Sequence, residues 1–413
     1  MCAKIIPFKA IRPVRDKVHL VATRPYYSYT KQILTAKLIH NPYSFIHIIN
    51  PEFKKSDRTK PNTIERFEKV RGKYAEFCEK GIFWQEQETS FYLYRQTTPE
   101  QEFVGLIAGA SVEEYKSGQI KIHEQTLPSR EETFKMYLDV CGFNAEPVLL
   151  AHKDQQDLTD IYLDIMLSRP EYEYTSTDKV KHELWLVSEP ATIENITSGF
   201  NEIKNLYIAD GHHRSASSAL LGEMHRAANP DHRGNERYNY FMAFLISENL
   251  LKIYDYNRVV SDLNGLSADE VLEKLKLNFN VKKARKRFKP REKSEFSMFL
   301  KGQWYQLNLN KAIPGSENPA EHLDSRILSK LVLGPILGIT DIQNDPRISF
   351  LNGKSGMQGL EKKVNKGLAQ IAFGLYPVSV RDLMHVADTN NMMPPKSTYI
   401  EPKLRSGLTI YEL

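Results

Sequence analysis

The residues best suited to chemistry in this 413-residue sequence lie between Asp210 and Ser215, which read Asp-Gly-His-His-Arg-Ser. An apolar run, Leu206–Ala209, precedes them and small residues follow, so the pattern predicts a strand, a tight turn and a helix. Gly211 permits close backbone approach, and the first N–H groups of a helix are unpaired at the positive end of its dipole. We therefore predict a phosphate site, with Gly211, Arg214 and Ser215 as binding residues.

Asp210, His212, His213 and Arg214 are the predicted catalytic residues of this stretch. Adjacent helical residues diverge by about 100°, so we expect one histidine to face the ligand, and the sequence does not decide which. A metal-dependent hydrolase is an alternative, but Asp210 and one histidine supply only two ligands. Asp210 is a candidate ligand for Mg²⁺, and no other metal ligand is assigned.

A second group that suits a phosphate follows two prolines near the C-terminus, in the stretch Met392–Thr398. The prolines favour an extended approach, after which Lys396, Ser397 and Thr398 present one cation and two hydroxyls. Lys403 would extend this positive rim. The alternative is a proline turn with exposed polar residues. No glycine-rich Walker loop accompanies the group, so a P-loop nucleotide fold is not supported.

Four further residues are secondary candidates for substrate or phosphate binding. His123, Arg130 and Glu131 lie in one short stretch that combines acidic and basic groups. A helix N-terminal turn favoured by the helix dipole is the alternative for Arg130 and Glu131. Arg258, in Tyr256-Asn-Arg-Val-Val260, would bind an anion or form a buried ion pair.

Beyond these residues, the sequence resembles a widespread prokaryotic domain family of unknown function over nearly its whole length. The motifs that carry the resemblance are Asn41-Pro-Tyr-Ser-Phe45, His123–Glu132, Asp210-Gly-His-His-Arg214 and Met393–Tyr399. The turn from Gly211 to Arg214 is also similar to the nucleotide-phosphate loop of the ParB/sulfiredoxin-like fold. That fold includes CTP-binding partition proteins, sulfiredoxin and free-serine kinases. Sulfiredoxins carry a cysteine where this sequence has His212, so their redox reaction is not carried over.

The resemblance implies phosphoryl transfer to or from a small hydroxylated or phosphorylated metabolite, with serine or phosphoserine as the substrate. It also implies Mg²⁺ and ATP or ADP as cofactors, and it leaves the kinase and phosphatase directions open. In the kinase direction, Asp210 or His213 would accept the hydroxyl proton. In the phosphatase direction, His212 or His213 could attack phosphorus or protonate the leaving alkoxide. The alternative from another class is a non-catalytic, ParB-like nucleotide-binding regulator. The run 282–293, in which eight of twelve residues are basic, would favour the regulator, although a solvated surface connection is the simpler explanation. Nucleic acid is not an expected partner, because no helix-turn-helix is recognisable.

The elements that must position these residues predict an α+β fold with mixed sheets. The resemblance implies that the strand-turn-helix core is ParB/sulfiredoxin-like. A helix from the box Asn62/Glu65 to Gly81 and another from the box Ser267/Glu270 are predicted. The predicted strands are Ser44–Ile49, Phe91–Arg95, Phe103–Ile107, Pro147–Leu150, Leu184–Val187, Leu206–Ala209, Phe241–Ile246 and Leu251–Tyr254, with a hairpin near Trp304–Leu307. We predict a body of residues 1–265 and a C-terminal portion of residues 266–413, or one continuous domain.

Composition narrows the class of protein. Hydrophobic residues make up 41% and charged residues 26% of the chain, as in ordinary globular proteins. The net charge of +5 is small for this length and gives no support to nucleic-acid binding. Three widely spaced cysteines indicate no disulfide framework or zinc knuckle. No signal peptide or membrane segment is recognisable, so we expect a cytoplasmic protein without a membrane partner.

Overall fold

The computed structural model describes residues 3–53, 58–310 and 316–413. Their contacts divide the chain into two compact units. The first comprises Met1–Ile122, Thr126–Leu251 and Pro402–Leu413, and the second comprises His123–Gln125 and Lys252–Glu401. The division predicted after residue 265 therefore lies within the second unit, and the C-terminal segment returns to the first.

Both helices and strands occur in each unit, as an α+β fold requires. The helices of the described residues are α1 (Val18–Val21), α2 (Lys31–His40), α3 (Ile46–Ile49), α4 (Ile64–Glu79), α5 (Val112–Lys116), α6 (Pro128–Cys141), α7 (Gln156–Met166), α8 (Pro190–Asn201), α9 (His212–Ala228), α10 (Ala268–Lys276), α11 (Asp324–Leu328), α12 (Gly356–Asn365) and α13 (Val380–Asp388). No helix among these combines the length and apolar character needed to cross a bilayer.

The strands are short, and many lie in the predicted places. They are β1 (Ile5–Ile6), β2 (Ile11–Pro13), β3 (Phe83–Gln85), β4 (Phe91–Thr97), β5 (Glu102–Ser111), β6 (Ile120–Lys121), β7 (Phe143–Asn144), β8 (Val148–His152), β9 (Tyr172–Thr175), β10 (Lys181–Val187), β11 (Leu206–Asp210), β12 (Tyr240–Ser247), β13 (Lys252–Tyr254), β14 (Tyr256–Val260), β15 (Phe279–Ala284), β16 (Glu295–Leu300), β17 (Gln303–Leu309), β18 (Ile348–Asn352), β19 (Ile371–Gly374), β20 (Tyr399–Glu401) and β21 (Tyr411–Glu412).

The first unit is built on a nine-stranded mixed sheet. Its main path runs β6-β11-β8-β12-β5-β4-β10-β9, and β1 pairs with β5. The pairs β6–β11 and β8–β12 are parallel, whereas the pair β8–β11 is antiparallel. The apolar side chains of these strands form a buried core with α7 and α8, which includes Leu106, Leu150, Ile208 and Leu245. The mixed sheet and the helices confirm the predicted fold class.

A β-bulge interrupts the pairing of β11 immediately before the glycine turn. Ile208 pairs with Leu150 and Asp210 pairs with Leu149, so Ala209 is the extra residue. Because residues on a strand alternate between faces, Ile208 and Asp210 would otherwise share the core face. The bulge moves Asp210 to the opposite face, as bulges beside functional sites often do.

The second unit contains a six-stranded antiparallel sheet in the order β15-β17-β16-β19-β14-β18, and a two-stranded pair, β13–β20. Its main core joins the sheet to α10 and α11 and includes Val260, Val271, Phe296, Ile327 and Phe373. The predicted capping box is present at the start of α10, where Ser267 and Glu270 each accept from the other's backbone N–H.

Two local predictions were wrong, each because side chains satisfied the backbone differently. Ser44–Ile49 is not a strand: Ile46–Ile49 forms α3, with the Ile46 N–H donating to the Ser44 hydroxyl at 3.4 Å. The apolar run is too short for periodicity to separate a buried strand from a helical turn. At α4 the cap is Thr63, whose hydroxyl accepts from the Arg66 N–H at 3.4 Å, and not Asn62. Cys78 and Cys141 are free thiols, and Cys2 lies outside the described residues.

Candidate active site at the glycine turn

The turn between β11 and α9 has the backbone that an anion site requires. Gly211 adopts φ +106°, in the left-handed region that favours glycine, and it is the N-cap residue of the 17-residue helix α9. No side chain caps the first turn of this helix. Because the first N–H groups of a helix lack intrahelical acceptors, this end of α9 is suited to an anion.

Arg214 lies directly over the turn. A β-carbon placed on Gly211 would lie 2.8 Å from Nη2 and 3.0 Å from Nε of Arg214, so only glycine allows the guanidinium this close to the backbone. Arg214 forms an ion pair with Glu146, whose other carboxylate oxygen accepts from the Ser406 hydroxyl at 3.1 Å. These contacts hold a planar five-donor group beside the helix N-terminus.

Replacing Gly211 with alanine should have two separable effects. The positive φ costs a side-chain residue about 1–2 kcal/mol of stability, and the new methyl group should displace Arg214 and weaken phosphate binding. Gly234→Ala is the matched control, because Gly234 has φ +89° with open space around it. We expect a loss of stability in both variants and a loss of phosphate affinity only in Gly211→Ala. Thermal unfolding with and without phosphate measures both, and equal phosphate shifts would refute the role of this contact.

Asp210 is held ionised beside the same turn. Its Oδ2 lies 2.8 Å from Nζ of Lys403, which comes from the C-terminal segment of the same unit. Burial alone would raise the pKa of Asp210, but the positive charges of Lys403 and Arg214 outweigh it and lower the pKa below its usual value. Two cations and two carboxylates therefore alternate around the turn: Lys403, Asp210, Arg214 and Glu146.

The two adjacent histidines have different surroundings. His212 is buried at the first position of α9. The Nε2 atom of His213 accepts a hydrogen bond from the Leu127 N–H at 3.2 Å, which assigns the ring proton to Nδ1. Burial and the neighbouring charge of Arg130 lower the pKa of His213, so the ring is neutral at pH 7. Because the Nε2 lone pair is engaged by the backbone, His213 anchors the turn before α6 to α9.

His213 should make stability depend on pH in a defined direction. A histidine whose pKa is lower in the folded state contributes stability that is present above about pH 6.5 and lost as pH falls through the lowered pKa. The variant His213→Gln keeps an acceptor for Leu127 but does not titrate. We expect its free energy of unfolding to fall less than that of the wild type between pH 7 and pH 5. The matched control is His225→Gln, which replaces a partly exposed histidine of the same helix, and the flattened profile should be specific to His213→Gln.

The remaining candidates of the first unit surround α9 without completing a ligand set. Arg130 is exposed at the start of α6. The Glu131 carboxylate accepts from the Thr126 hydroxyl, and its carbonyl accepts from the Ser217 hydroxyl at 3.0 Å. The Ser215 hydroxyl donates to the His212 carbonyl at 3.0 Å and is fully buried. Ser215 therefore stabilises the first turn of α9 through its side chain, and its backbone N–H donates to the Gly211 carbonyl at 3.1 Å.

The candidates near residues 392–398 belong to the second unit, as do His123 and Arg258. Lys396 is exposed, with φ +56°, and Thr398 is half-buried. The buried Ser397 hydroxyl donates to the Pro394 carbonyl at 2.7 Å and lies 2.9 Å from the Ser325 hydroxyl.

The other two residues of this group are buried. The Arg258 guanidinium donates to the Tyr256 carbonyl and, at 2.9 Å, to the Lys396 carbonyl, and burial lowers the pKa of Arg258 to about 10. His123 accepts from the Met393 N–H at 2.8 Å through its carbonyl. The contacts of Arg258 and Ser397 thus fix the turn that carries Lys396.

The basic run 282–293 is part of the second unit and is largely engaged with carboxylates. Arg287 pairs with Glu361 at 2.9 Å, Lys289 with Asp255 at 3.0 Å, and Lys293 with Asp382 at 2.7 Å. Two of its lysines lie within β15. This run therefore does not favour the regulator over an enzyme.

Glu146 is the residue of this site that sequence reasoning missed. It precedes β8 in a stretch without any recognisable motif, and its partner Arg214 lies 68 residues further along the chain. A lone glutamate at a strand edge carries no sequence signal, so only the tertiary contact identifies it.

A strand, a left-handed glycine, a long uncapped helix and an arginine over the turn together form a candidate anion site in this α+β protein. The chain belongs to the family described as "Protein of unknown function (DUF1015)", which matches residues 5–328. No curated protein matches the sequence significantly.

Several solved structures resemble the chain at low similarity. A conserved hypothetical protein from Pyrococcus furiosus is 15% identical, with a TM-score of 0.34, over 73% of this chain and 91% of that chain. A free serine kinase in complex with AMP is 14% identical, with a TM-score of 0.37, over 73% and 91%. SbnI with C-terminal truncation from Staphylococcus aureus is 13% identical, with a TM-score of 0.39, over 73% and 85%.

Proposed function

We propose that this protein is a phosphoryl-transfer enzyme that acts on a small hydroxylated or phosphorylated metabolite, with serine or phosphoserine as the substrate. The observation that carries the proposal is the uncapped N-terminus of α9 behind Gly211, with the Arg214 guanidinium packed against the glycine. Backbone N–H groups, a helix dipole and a guanidinium on one turn make a cradle for phosphate oxygens.

Phosphoryl transfer requires few chemical groups from the protein, and the residues at this turn would supply them. Catalysis of this reaction consists mainly of positioning and of neutralising charge on the transferred group. Arg214 and the N–H groups of α9 would hold the phosphate oxygens. Lys403, 2.8 Å from Asp210, would add a second positive charge. These donors are fixed before the substrate arrives, as electrostatic stabilisation requires.

Asp210 would receive the proton of the attacking hydroxyl. In the kinase direction, the hydroxyl oxygen forms the new bond to phosphorus while the bond to the nucleotide's bridging oxygen breaks. The proton passes to the Asp210 carboxylate and then to solvent. The lowered pKa makes Asp210 an ionised acceptor that orients the hydroxyl, a role that suits late proton transfer. In the phosphatase direction, the water oxygen bonds to phosphorus while the bond to the serine oxygen breaks. The proton that Asp210 takes from the water would then pass to the serine oxygen.

Mg²⁺ and ATP or ADP are the cofactors that this proposal includes. Mg²⁺ commonly binds through one or two carboxylates together with substrate phosphates, and Asp210 offers one such carboxylate. The bound ion would neutralise charge on the phosphates. Lys403 already compensates the Asp210 carboxylate, so we expect the ion to arrive with the nucleotide.

A single screen tests the proposal and its direction. The purified protein is incubated with Mg²⁺ and either phosphoserine alone or serine with ATP or ADP, and both free phosphate and phosphoserine are measured. Phosphoserine formation identifies a kinase, and phosphate release from phosphoserine alone identifies a phosphatase. The proposed reaction is refuted if neither product forms at concentrations at which phosphate itself binds to the protein.

A further inference from the structure

Three cations of the first unit lie together around one carboxylate, and none of these four residues belongs to the turn between β11 and α9. Nη2 of Arg405 is 2.9 Å from both oxygens of Asp178, and Nη1 of Arg24 is 4.0 Å from Oδ2 of the same residue. Lys37, on α2, forms no ion pair within the described part of the chain. We call Arg24, Lys37, Arg405 and Asp178 the cation cluster.

An aromatic ring holds two of these cations in place. Cζ of Arg24 lies 4.8 Å and Nζ of Lys37 lies 5.6 Å from the centre of the Tyr29 ring. The Arg24 N–H also donates to the Tyr29 hydroxyl at 2.9 Å. Tyr29 therefore holds the positive charges of Arg24 and Lys37 close together, although like charges repel each other at this range.

The charges of the cation cluster do not balance. Burial first, and then the positive charges of Arg24 and Arg405, lower the pKa of Lys37. Burial would raise the pKa of Asp178, but Arg405 outweighs it and holds the pKa at about 2, so this carboxylate is fully ionised. Three cations and one carboxylate leave an excess of about two positive charges at neutral pH.

One donor of the cation cluster has no acceptor. The Arg405 side chain is only 5% exposed, and its Nε has no hydrogen-bond partner among the described residues. A buried, charged N–H without a partner costs free energy, and such groups are normally satisfied. In contrast, Arg24 and Asp178 are about one-third exposed, at 32% and 30%, so the cluster is open to solvent on one side.

We propose that the cation cluster is a second anion-binding site, which takes a dianionic group such as a phosphate monoester or a dicarboxylate. A dianion would neutralise the excess charge and supply the acceptor that Arg405 Nε lacks. The site is linked to the glycine turn, because Ser406 follows Arg405 and donates to Glu146, the partner of Arg214. The inference goes beyond the proposed reaction, and it would hold if that reaction were refuted.

Calorimetric titration with sodium phosphate and, separately, sodium succinate tests this site at constant ionic strength. The titrations use Arg214→Ala protein, in which we expect weaker phosphate binding at the glycine turn. Lys37→Gln in this background should weaken binding of the preferred dianion at least tenfold. The matched control is Lys31→Gln, because Lys31 is exposed on the same helix, and its affinity should stay within twofold. Phosphate and succinate compared directly show which dianion the site prefers.

Thermal unfolding separates a binding role from a structural one. Lys37→Gln removes a repelled charge, so the midpoint without ligand should not fall, while the stabilisation produced by the dianion should shrink. Arg24→Gln should likewise shrink the stabilisation produced by the dianion. Unchanged affinity in both variants, or no binding of either dianion, would overturn the inference. Loss of turnover with intact binding at the cation cluster would count only against the proposed reaction.

Discussion

Replacing Arg214 with alanine should lower kcat/KM by about 10²–10³-fold, the range for removing one preorganised donor from a catalytic site. Arg214 contacts the glycine turn and pairs with Glu146, so its guanidinium is fixed where the phosphate oxygens would lie. The thermal midpoint should change little, because the Arg214 side chain is partly exposed, at 19%, and Glu146 keeps its hydrogen bond from Ser406. Initial rates and thermal unfolding measure these two effects.

The control for this substitution lies on the same helix. Arg226 is in the last turn of α9 and pairs with Glu113 at 3.2 Å on the surface. Arg226→Ala removes the same side chain from the same helix without touching the turn, so its kcat/KM should remain within twofold of the wild type. Retained turnover in Arg214→Ala would remove the glycine turn from the reaction.

Replacing Asp210 with asparagine should separate binding from catalysis. Turnover should fall by about 10²–10⁴-fold, because the group that receives the hydroxyl proton is lost. Phosphate affinity should rise, because the substitution removes a negative charge and releases Lys403 from its ion pair at 2.8 Å. These opposite changes are a specific signature: a merely structural role for Asp210 predicts losses of stability and binding together. Rates and calorimetric titration with phosphate measure the pair of effects.

The control for Asp210→Asn is Asp139→Asn. Asp139 is a partly exposed carboxylate of α6 that pairs with His225 at 2.8 Å. Its neutralisation should leave both turnover and phosphate affinity within twofold of the wild-type values. If Asp210→Asn retained wild-type turnover, water or another group would have to accept the proton, and the assigned role would be wrong.

Local patterns in the sequence correctly predicted the elements that depend on residues close together along the chain. The strand Leu206–Asp210, the left-handed Gly211 and the helix α9 follow directly from an apolar run, a glycine and small residues. The capping box of α10 depends on residues three positions apart and was also predicted correctly. Such features are readable because a turn or a cap is stabilised by its own neighbours, and a buried strand is marked by its apolar run.

Prediction from local patterns fails for short apolar runs. Ile46–Ile49 forms a helical turn, although its β-branched residues favour a strand. Ser44 supplies a side-chain acceptor to the turn, and the Phe45 N–H donates to the Val21 carbonyl at 3.1 Å. The second of these contacts joins segments that are separated along the chain, so periodicity within the run could not indicate it.

The sequence by itself determined the strand, the left-handed glycine and the helix start at residues 206–214, because glycine conformation and helix-start geometry are local properties. The tertiary structure decided which groups meet there. The bulge at Ala209 turns Asp210 away from the core, and Lys403 reaches it across 193 positions. The cation cluster was likewise invisible in the sequence, because Arg24, Lys37, Asp178 and Arg405 become neighbours only when distant segments pack together. Charge compensation depends on distance in space, and the sequence orders residues only along the chain.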